Sequence, residues 1–510
     1  MMKLTLHFLF PVLLVCLTQS HTQADAVNQS KRERPNIIFL FTDDQVDISV
    51  GCYGGTQVKT PNMDKLAKDG IMFRNHYNTT SICMASRAIV LTGMYEYKTG
   101  CNFSHGPLGR KAFAKSFAVL LRQAGYFTGF AGKFGLAVRN NPSGKEKVDE
   151  SGLPTKDYDW WAGGPGQTNY KTAKNKHIAK YAKQYPHSTR AYAAWAKDFL
   201  KAAKASGKPF CLSISFKAPH LPFTPDPEFD HVYAKTKFRK PANYGVNNAK
   251  HLAPQAKSGR QFKSYRFWTD SEDSYQKSMR TYNQLIYGVD VALGMIREAL
   301  EEEGLTENTI IIFTSDNGYS CGAHGFGGKV LPYGEASRSP LIIFDPRLPI
   351  DHRGQQRTSV TGNIDMAPTI LDFAGLPVPK HMDGVSLVSS LRDNDAYADR
   401  SLTLINMWGN PEIQEMAVVT KDWKYIYWHY GGKNYVPTEE LFHIGKDRLE
   451  MSNLAKSPDY SKDLDRMRAV YDRHLQHLKQ HVVPYNGYAK YAVLFDRTLS
   501  WERKQQLLKR

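Results

Sequence analysis

PNIIFLFTDD, residues 35–44, is an unbroken apolar run that stops on two carboxylates. A run this short, with no polar alternation, reads as a β-strand buried on both faces. The design returns late in the chain as TIIIFTSDNG (309–318), and KPFCLSISFKAPH (208–220) has the same apolar body and polar end. Between these last two lies a helical pattern. Tyr282, Leu285, Ile286, Val289, Leu293, Ile296 and Leu300 recur at three- and four-residue steps, and Gly304 closes the helix. Strands alternating with helices predict an α/β sheet covered on both faces. Ligands of such sheets bind beyond the carboxyl ends of the strands. The acidic clusters sit at those ends.

From about Ser401 the texture changes to short strands joined by turns (SLTLINMW, MAVVTKDWKYIYWHY, EELFHI), then a helical pattern from about Ser461 to His481. We expect a catalytic unit over 27–400, a smaller C-terminal α+β unit over 401–483 with a short antiparallel sheet, and a tail over 484–510. The first 26 residues carry Lys3, an apolar run from Leu4 to Leu17 and an A-x-A end at Ala24-Asp25-Ala26. That is the pattern of a cleaved export signal, so a periplasmic or secreted protein without stable membrane insertion is expected.

Of the six cysteines, Cys16 leaves with that leader. Cys52, Cys83, Cys101, Cys211 and Cys321 remain, an odd set in which one cysteine is expected to have a separate job and the others could pair. The chain is 510 residues long with a formal net charge of +18. On an exported protein this favours extracellular polyanions over nucleic acid. The positive charge is clustered. His231–Trp268 holds nine Lys/Arg residues and no acid, interleaved with aromatic rings, and Tyr170–Arg190 holds six with no acid. Rings stack on sugar faces while cations meet anionic substituents, which would make these tracts subsites; a solvated loop over core aromatics gives the same pattern.

Asp43-Asp44 ends one expected strand and Asp316-Asn317 another. Three carboxylates and an amide oxygen converging at a sheet edge form a hard oxygen site suited to Ca²⁺ or Mg²⁺. Either pair alone reads as well as a turn. In SICMASRAIVLTG (81–93), Cys83 is a thiol nucleophile, a disulfide half, a metal ligand or the precursor of something else.

CMASRAIVLTG resembles the signature of type I sulfatases: Cys, any residue, Pro or Ala, Ser, Arg, three residues, Leu-Thr-Gly. PNIIFLFTDDQ, TPNMDKLAKDGIMFRNHY, GYFTGFAGK, KAPHLPF, TIIIFTSDNGYSCGAHG, RSPLIIFDP and DMAPTILDFAGL resemble further blocks of that family in the same order, from Pro35 to about Leu454. The resemblance implies an alkaline-phosphatase-like fold with a large mixed, mostly parallel central sheet. It also implies that Cys83 is oxidised by a maturation enzyme to formylglycine (3-oxoalanine), which hydrates to a geminal diol. Asp43, Asp44, Asp316 and Asn317 then match Ca²⁺ ligands, with modified Cys83 completing the set. Arg87 matches the arginine that steadies formylglycine, and Lys133, His220 and Lys329 match sulfate-binding or acid–base positions.

A sulfate ester needs a nucleophile, neutralisation of sulfuryl charge and a proton for the leaving alcohol. The activity the resemblance implies is sulfate-ester hydrolysis, and the basic, aromatic-rich tracts point to a sulfated polysaccharide or oligosaccharide as substrate. MYEYKTGCNFSHG (94–106) is similar to sulfatases acting on carrageenan-type galactans. A phosphonate or phosphodiester hydrolase, or a non-catalytic polyanion-binding relative, are the alternatives. Two departures stand out. Gly135 occupies the place of a common family histidine, which leaves His324 or a water as partner for the diol, and Ala85 replaces the commoner proline.

Overall fold

The computed structural model describes residues 34–144 and 148–509. The expected leader (1–26) lies outside the described residues. Among those described, no helix is long and apolar enough to cross a membrane.

Eight strands form the main sheet: β1 (Asn36–Thr42), β2 (Ile71–Tyr77), β3 (Phe127–Lys133), β4 (Trp160–Gly164), β5 (Phe210–Ser215), β6 (Thr309–Ser315), β7 (Leu341–Phe344) and β8 (Gln355–Gly362). Their order is β8-β2-β7-β6-β1-β5-β3-β4. Every adjacent pair is parallel except those made by β7, which runs against both β2 and β6. This is the mixed, mostly parallel sheet that the family resemblance implies.

β1 is central, and all seven of its residues are buried. Its two faces serve two cores. Ile38 and Leu40 pack with helices α3 (Ser188–Ser206) and α4 (Glu272–Glu302). Ile37, Phe39 and Phe41 pack on the opposite side with α2 (Cys83–Thr92) and α5 (Met366–Phe373). Burial on both sides is why the strand has no polar alternation. Helix α4 extends the expected apolar stripe backwards to Ser271, whose side chain accepts a bond from the Ser274 amide as N-cap, and Gly304 follows with φ 69°. Among the other helices of the first half, α1 (Pro61–Asp69) opens on a proline, whose missing N–H costs nothing at that position.

The C-terminal unit is an antiparallel meander of β9 (Leu402–Asn406), β10 (Glu415–Val419), β11 (Lys424–Trp428) and β12 (Thr438–Phe442), packed against α6 (Ser461–His481). Its core also includes Tyr77, Ile89 and Ile364 from the first unit and Tyr488, Tyr491 and Phe495 from beyond residue 483.

Polar ties reinforce this junction around residues 324–334. Lys424 Nζ donates to Pro332 O at 2.6 Å, Gly334 N donates to Glu450 Oε2 at 2.8 Å, and Tyr333 Oη donates to the Glu440 carboxylate at 3.0 Å. Lys424, Glu440 and Glu450 are all buried, so these groups carry the desolvation cost of burial and depend on their partners.

Candidate active site

Register builds the site. Thr42 of β1 lies opposite Ser315 of β6, so the next residues, Asp43-Asp44 and Asp316-Asn317, emerge side by side. On the other flank Phe41 pairs with Ser215 of β5, and Ser215 with Gly132 of β3, which sets Lys133 at the same level. Four parallel strand ends thus deliver carboxylates and a lysine to one line, as expected for an α/β sheet.

Cys83 is the first residue of α2, every residue of which is buried. Arg87 follows one turn later on the same face. Its Nε and Nη2 donate to Asp316 Oδ2 at 3.0 and 2.8 Å, and its Nη1 donates to Lys133 O at 2.7 Å and to Ser215 Oγ. The Cys83 thiol donates to Asp43 Oδ1 at 3.4 Å and accepts from Lys329 Nζ at 2.6 Å. Lys133 pairs with Asp43, and Lys329 with Asp44. Asn317 Nδ2 donates to Asp44 Oδ1 at 2.7 Å. His220 Nε2 stands 3.8 Å from Asp44 Oδ2, while its Nδ1 faces Leu221 O at 2.6 Å.

Three carboxylates therefore sit among the basic side chains Arg87, Lys133 and Lys329. Burial works to raise the Asp43 carboxyl, but Lys133, His220, Lys329 and Arg87 outweigh it and hold the group well below the ordinary range. Asp316 is pushed up to about 6 by burial and by Asp43. Burial opposes the charge on Lys329, yet Asp44, Cys83 and Asp43 keep its ammonium well above the usual value. Burial lowers His220. Burial and then Asp43 push the Cys83 thiol up to about 12, which leaves the residue as encoded a poor nucleophile.

Asp43 and Asp44 offer the oxygen donors a hard divalent cation prefers, within a group of four donors that includes a thiol and an imidazole. One ligand atom each from Asp43, Asp44, Cys83 and His220 lies within 4.8 Å of the others. Asn317 Oδ1 is buried with no hydrogen-bond partner among the described residues, on the same amide whose Nδ2 bonds Asp44, and an orphaned oxygen acceptor beside a carboxylate is what an oxygen-coordinated ion would use. Asp44 is held at φ 71°, and its carbonyl accepts from Tyr282 Oη at 2.7 Å. A non-glycine residue in that region costs about 1–2 kcal/mol, which the surrounding bonds offset.

His324 does not join this group. Its Nδ1 and Nε2 lie 2.8 Å from Asn248 O and Leu449 O, so the ring ties its loop to the C-terminal unit. Gly135 explains why no histidine stands in its place. Its φ is 77°, and an added Cβ would lie 2.6 Å from Arg87 Cδ and 3.0 Å from Arg87 Nε. Replacing Gly135 with alanine is expected to lower stability by about 2–4 kcal/mol, from overpacking and the left-handed backbone. It should also displace Arg87 and depress turnover. Urea midpoints beside kcat measure both effects, and an unchanged midpoint would contradict this account.

Sequence reasoning missed several contributors. Ser215 anchors Arg87. Lys217 is buried beside them, its ammonium disfavoured by burial and supported by Asp43. Tyr170 Oη donates to His220 O at 2.6 Å and so steadies the loop carrying that histidine. Lys217 does stand inside the KAPH block, but nothing in its spacing separates it from a surface lysine.

The basic tracts divide differently from the subsite expectation. Tyr233, Phe238, Trp268 and Tyr170 are core residues, and Lys240 pairs with Glu272 at 2.6 Å. Arg239 and Lys240 line a separate cavity of about 340 Å³ beside Cys321. Only Arg260, Gln261 and Tyr265 of the longer tract line the cavity above Cys83, which measures about 620 Å³. The cysteines do not pair. All five described ones are free thiols, so the odd count does not set Cys83 apart.

Comparison with known proteins agrees with this architecture. The chain is 28% identical over 509 residues to the N-acetylglucosamine-6-O-sulfatase of Bacteroides thetaiotaomicron, covering 86% of each. It is 26% identical to an ulvan-active sulfatase of Formosa agariphila, across 88% of this chain and 82% of that protein. A solved structure in complex with its substrate D-glucosamine-2-N,6-O-disulfate superposes with a TM-score of 0.71 at 26% identity, over 89% of this chain and 100% of the other. The phosphonate monoester hydrolase of Agrobacterium radiobacter shares the fold, at TM-score 0.69 and 22% identity, over 88% of this chain and 96% of that one. The C-terminal pattern of N-sulphoglucosamine sulphohydrolase matches residues 322–479. The sulfatase pattern matches residues 35–376, and the chain belongs to the sulfatase family of sulfuric ester hydrolases.

Proposed function

We propose that the protein is an exported sulfatase that removes sulfate from a sulfated saccharide. The reading rests on one observation above all: Cys83, bracketed by Asp43 and Lys329, lines a cavity of about 620 Å³ together with His220. A cavity of that size admits a sugar ring rather than sulfate alone. That relatives at 28% and 26% identity act on N-acetylglucosamine 6-sulfate and ulvan supports a carbohydrate substrate.

Asp43, Asp44, Asp316 and Asn317 would hold Ca²⁺, which when bound supplies positive charge that draws electrons from the sulfate ester. Oxidised to formylglycine by a maturation enzyme, Cys83 would supply a hydrated aldehyde able both to take up the sulfuryl group and to release it. The rest falls to the other side chains. Lys133 and Lys329 neutralise the sulfuryl oxygens where charge develops. His220 gives its proton to the departing sugar oxygen. Arg87 holds Asp316 and the end of β3 in place, so that the donors do not reorganise during turnover.

Desulfation of a panel of defined saccharides, including N-acetylglucosamine 6-sulfate, ulvan and carrageenan oligosaccharides, tests this reading. Phenylphosphonate and bis-p-nitrophenyl phosphate serve as the competing substrates. Sulfate release from at least one saccharide, abolished by a calcium chelator and restored by Ca²⁺, is expected. Faster cleavage of the phosphorus esters would assign the chain to the other chemistry.

A further inference from the structure

The walls of the Cys83 cavity carry one charge that no carboxylate balances. Its charged lining residues are Asp44, His220, Lys329 and Arg260. Asp44 is engaged by Lys329, and His220 lies against Asp44. Arg260 is different. Among the described residues no carboxylate oxygen lies within 4.0 Å of its guanidinium, whereas Lys133, Lys329 and Arg87 of the Cys83 cluster are all paired.

Arg260 is exposed, and two aromatic side chains and one hydrogen bond orient its head group. It lies 5.3 Å from the Tyr265 ring centre and 5.8 Å from that of Trp408, and its Nη2 donates to Tyr265 Oη at 2.5 Å. Both rings line the same cavity. Cation–π contact with two rings and one bond to the tyrosine hydroxyl orient a guanidinium while leaving its other N–H donors available. An oriented, unneutralised fork over a substrate cavity is matched by a planar or tetrahedral anion that it can bind through two N–H groups. Phe103, which lines the same cavity and is 42% exposed, offers an apolar face to a sugar ring.

We infer that Arg260 binds a second anionic group of the substrate, sulfate or carboxylate, while the scissile sulfate sits at Cys83. The substrate class is then a saccharide with at least two acidic groups, on one residue or on neighbours. This deepens the sulfated-saccharide reading and rests on it. Selectivity follows from geometry: a singly charged sugar leaves the guanidinium without a partner, and a doubly charged one satisfies it.

The test uses matched pairs on the full-length enzyme, with sulfate release as readout. N-acetylglucosamine 6-sulfate is set against glucosamine 2-N,6-O-disulfate, and a monosulfated against a disulfated carrageenan tetrasaccharide. N-acetylgalactosamine 6-sulfate against the uronate-bearing chondroitin 6-sulfate disaccharide separates carboxylate from sulfate. In a pair that is turned over, the doubly acidic member should be favoured about 30-fold in kcat/KM, the range of one charge-assisted contact.

Arg260→Ala should remove that preference, and Arg260→Lys, which keeps the charge without the fork, should restore part of it. Equal turnover of both members by the wild type would overturn the inference. So would an Arg260→Ala variant that slows both members by the same factor, which is what a merely structural role gives. Failure to cleave any saccharide while an aryl sulfate is hydrolysed would remove the carbohydrate reading and this inference with it.

Discussion

Replacing Cys83 with alanine is expected to lower sulfate release by at least about 10⁴-fold, the scale set by loss of a nucleophile that acts as one unit with its partners. The side chain is small, and among the described residues its hydrogen-bond partners are Asp43 and Lys329. The substitution should therefore leave the fold and saccharide binding intact. Cys83→Ser is the sharper variant. A serine hydroxyl can attack sulfur but has no second hydroxyl through which to expel sulfate. It should release at most one equivalent of alcohol and retain the sulfuryl group on the protein. Mass spectrometry of the peptide containing residue 83 reads both points: conversion of cysteine to formylglycine in the wild type, and a sulfate adduct in the serine variant. Multiple turnovers by Cys83→Ala would defeat the proposed mechanism.

Replacing Arg87 with alanine should cost about 3–5 kcal/mol of folding stability, because it strips a buried carboxylate of its counter-charge. Arg87 and Asp316 are 3% and 0% exposed, and the guanidinium also binds the Lys133 carbonyl and Ser215. Lysine is a poor substitute, since one ammonium cannot span Asp316, Lys133 O and Ser215 Oγ from a single fork. Arg87→Lys is thus expected to recover part of the stability and little of the turnover. Chemical denaturation and kcat measured on the same preparations would show the split. Wild-type stability in the alanine variant would mean that the three contacts are dispensable.

What the sequence disclosed followed from how local each signal was. β1 and β6 were legible because a strand buried on both faces has a composition of its own, and because each run stops on acid. Cys83 and Arg87 lie within one helical turn, so a contiguous motif carries both. Ser215 was hidden for the opposite reason. It is 128 residues from Arg87 and meets it only through the pairing of β1 with β5. The basic tracts misled because a ring between lysines looks the same whether it points inward or outward. Tyr233, Phe238 and Trp268 point inward, while Tyr265 lines the cavity. Gly135 read as a lost histidine; its backbone angle and the Arg87 side chain against it show that the place is already taken.

The seam between the two units has a thermodynamic consequence. The loop that carries Lys329 is flanked by Tyr333 and Gly334 on one side and His324 on the other, each bonded to the C-terminal unit. A lysine that must meet Asp44 is thus held in position by a sheet that contributes no group to the Cys83 cluster. Because the seam also shares a hydrophobic core, opening one unit exposes apolar surface on both. Thermal unfolding should then be a single cooperative event, with the far-UV signal and catalytic competence lost at one temperature. Cutting the chain near residue 400 would accordingly yield not a smaller enzyme but an unfolded one.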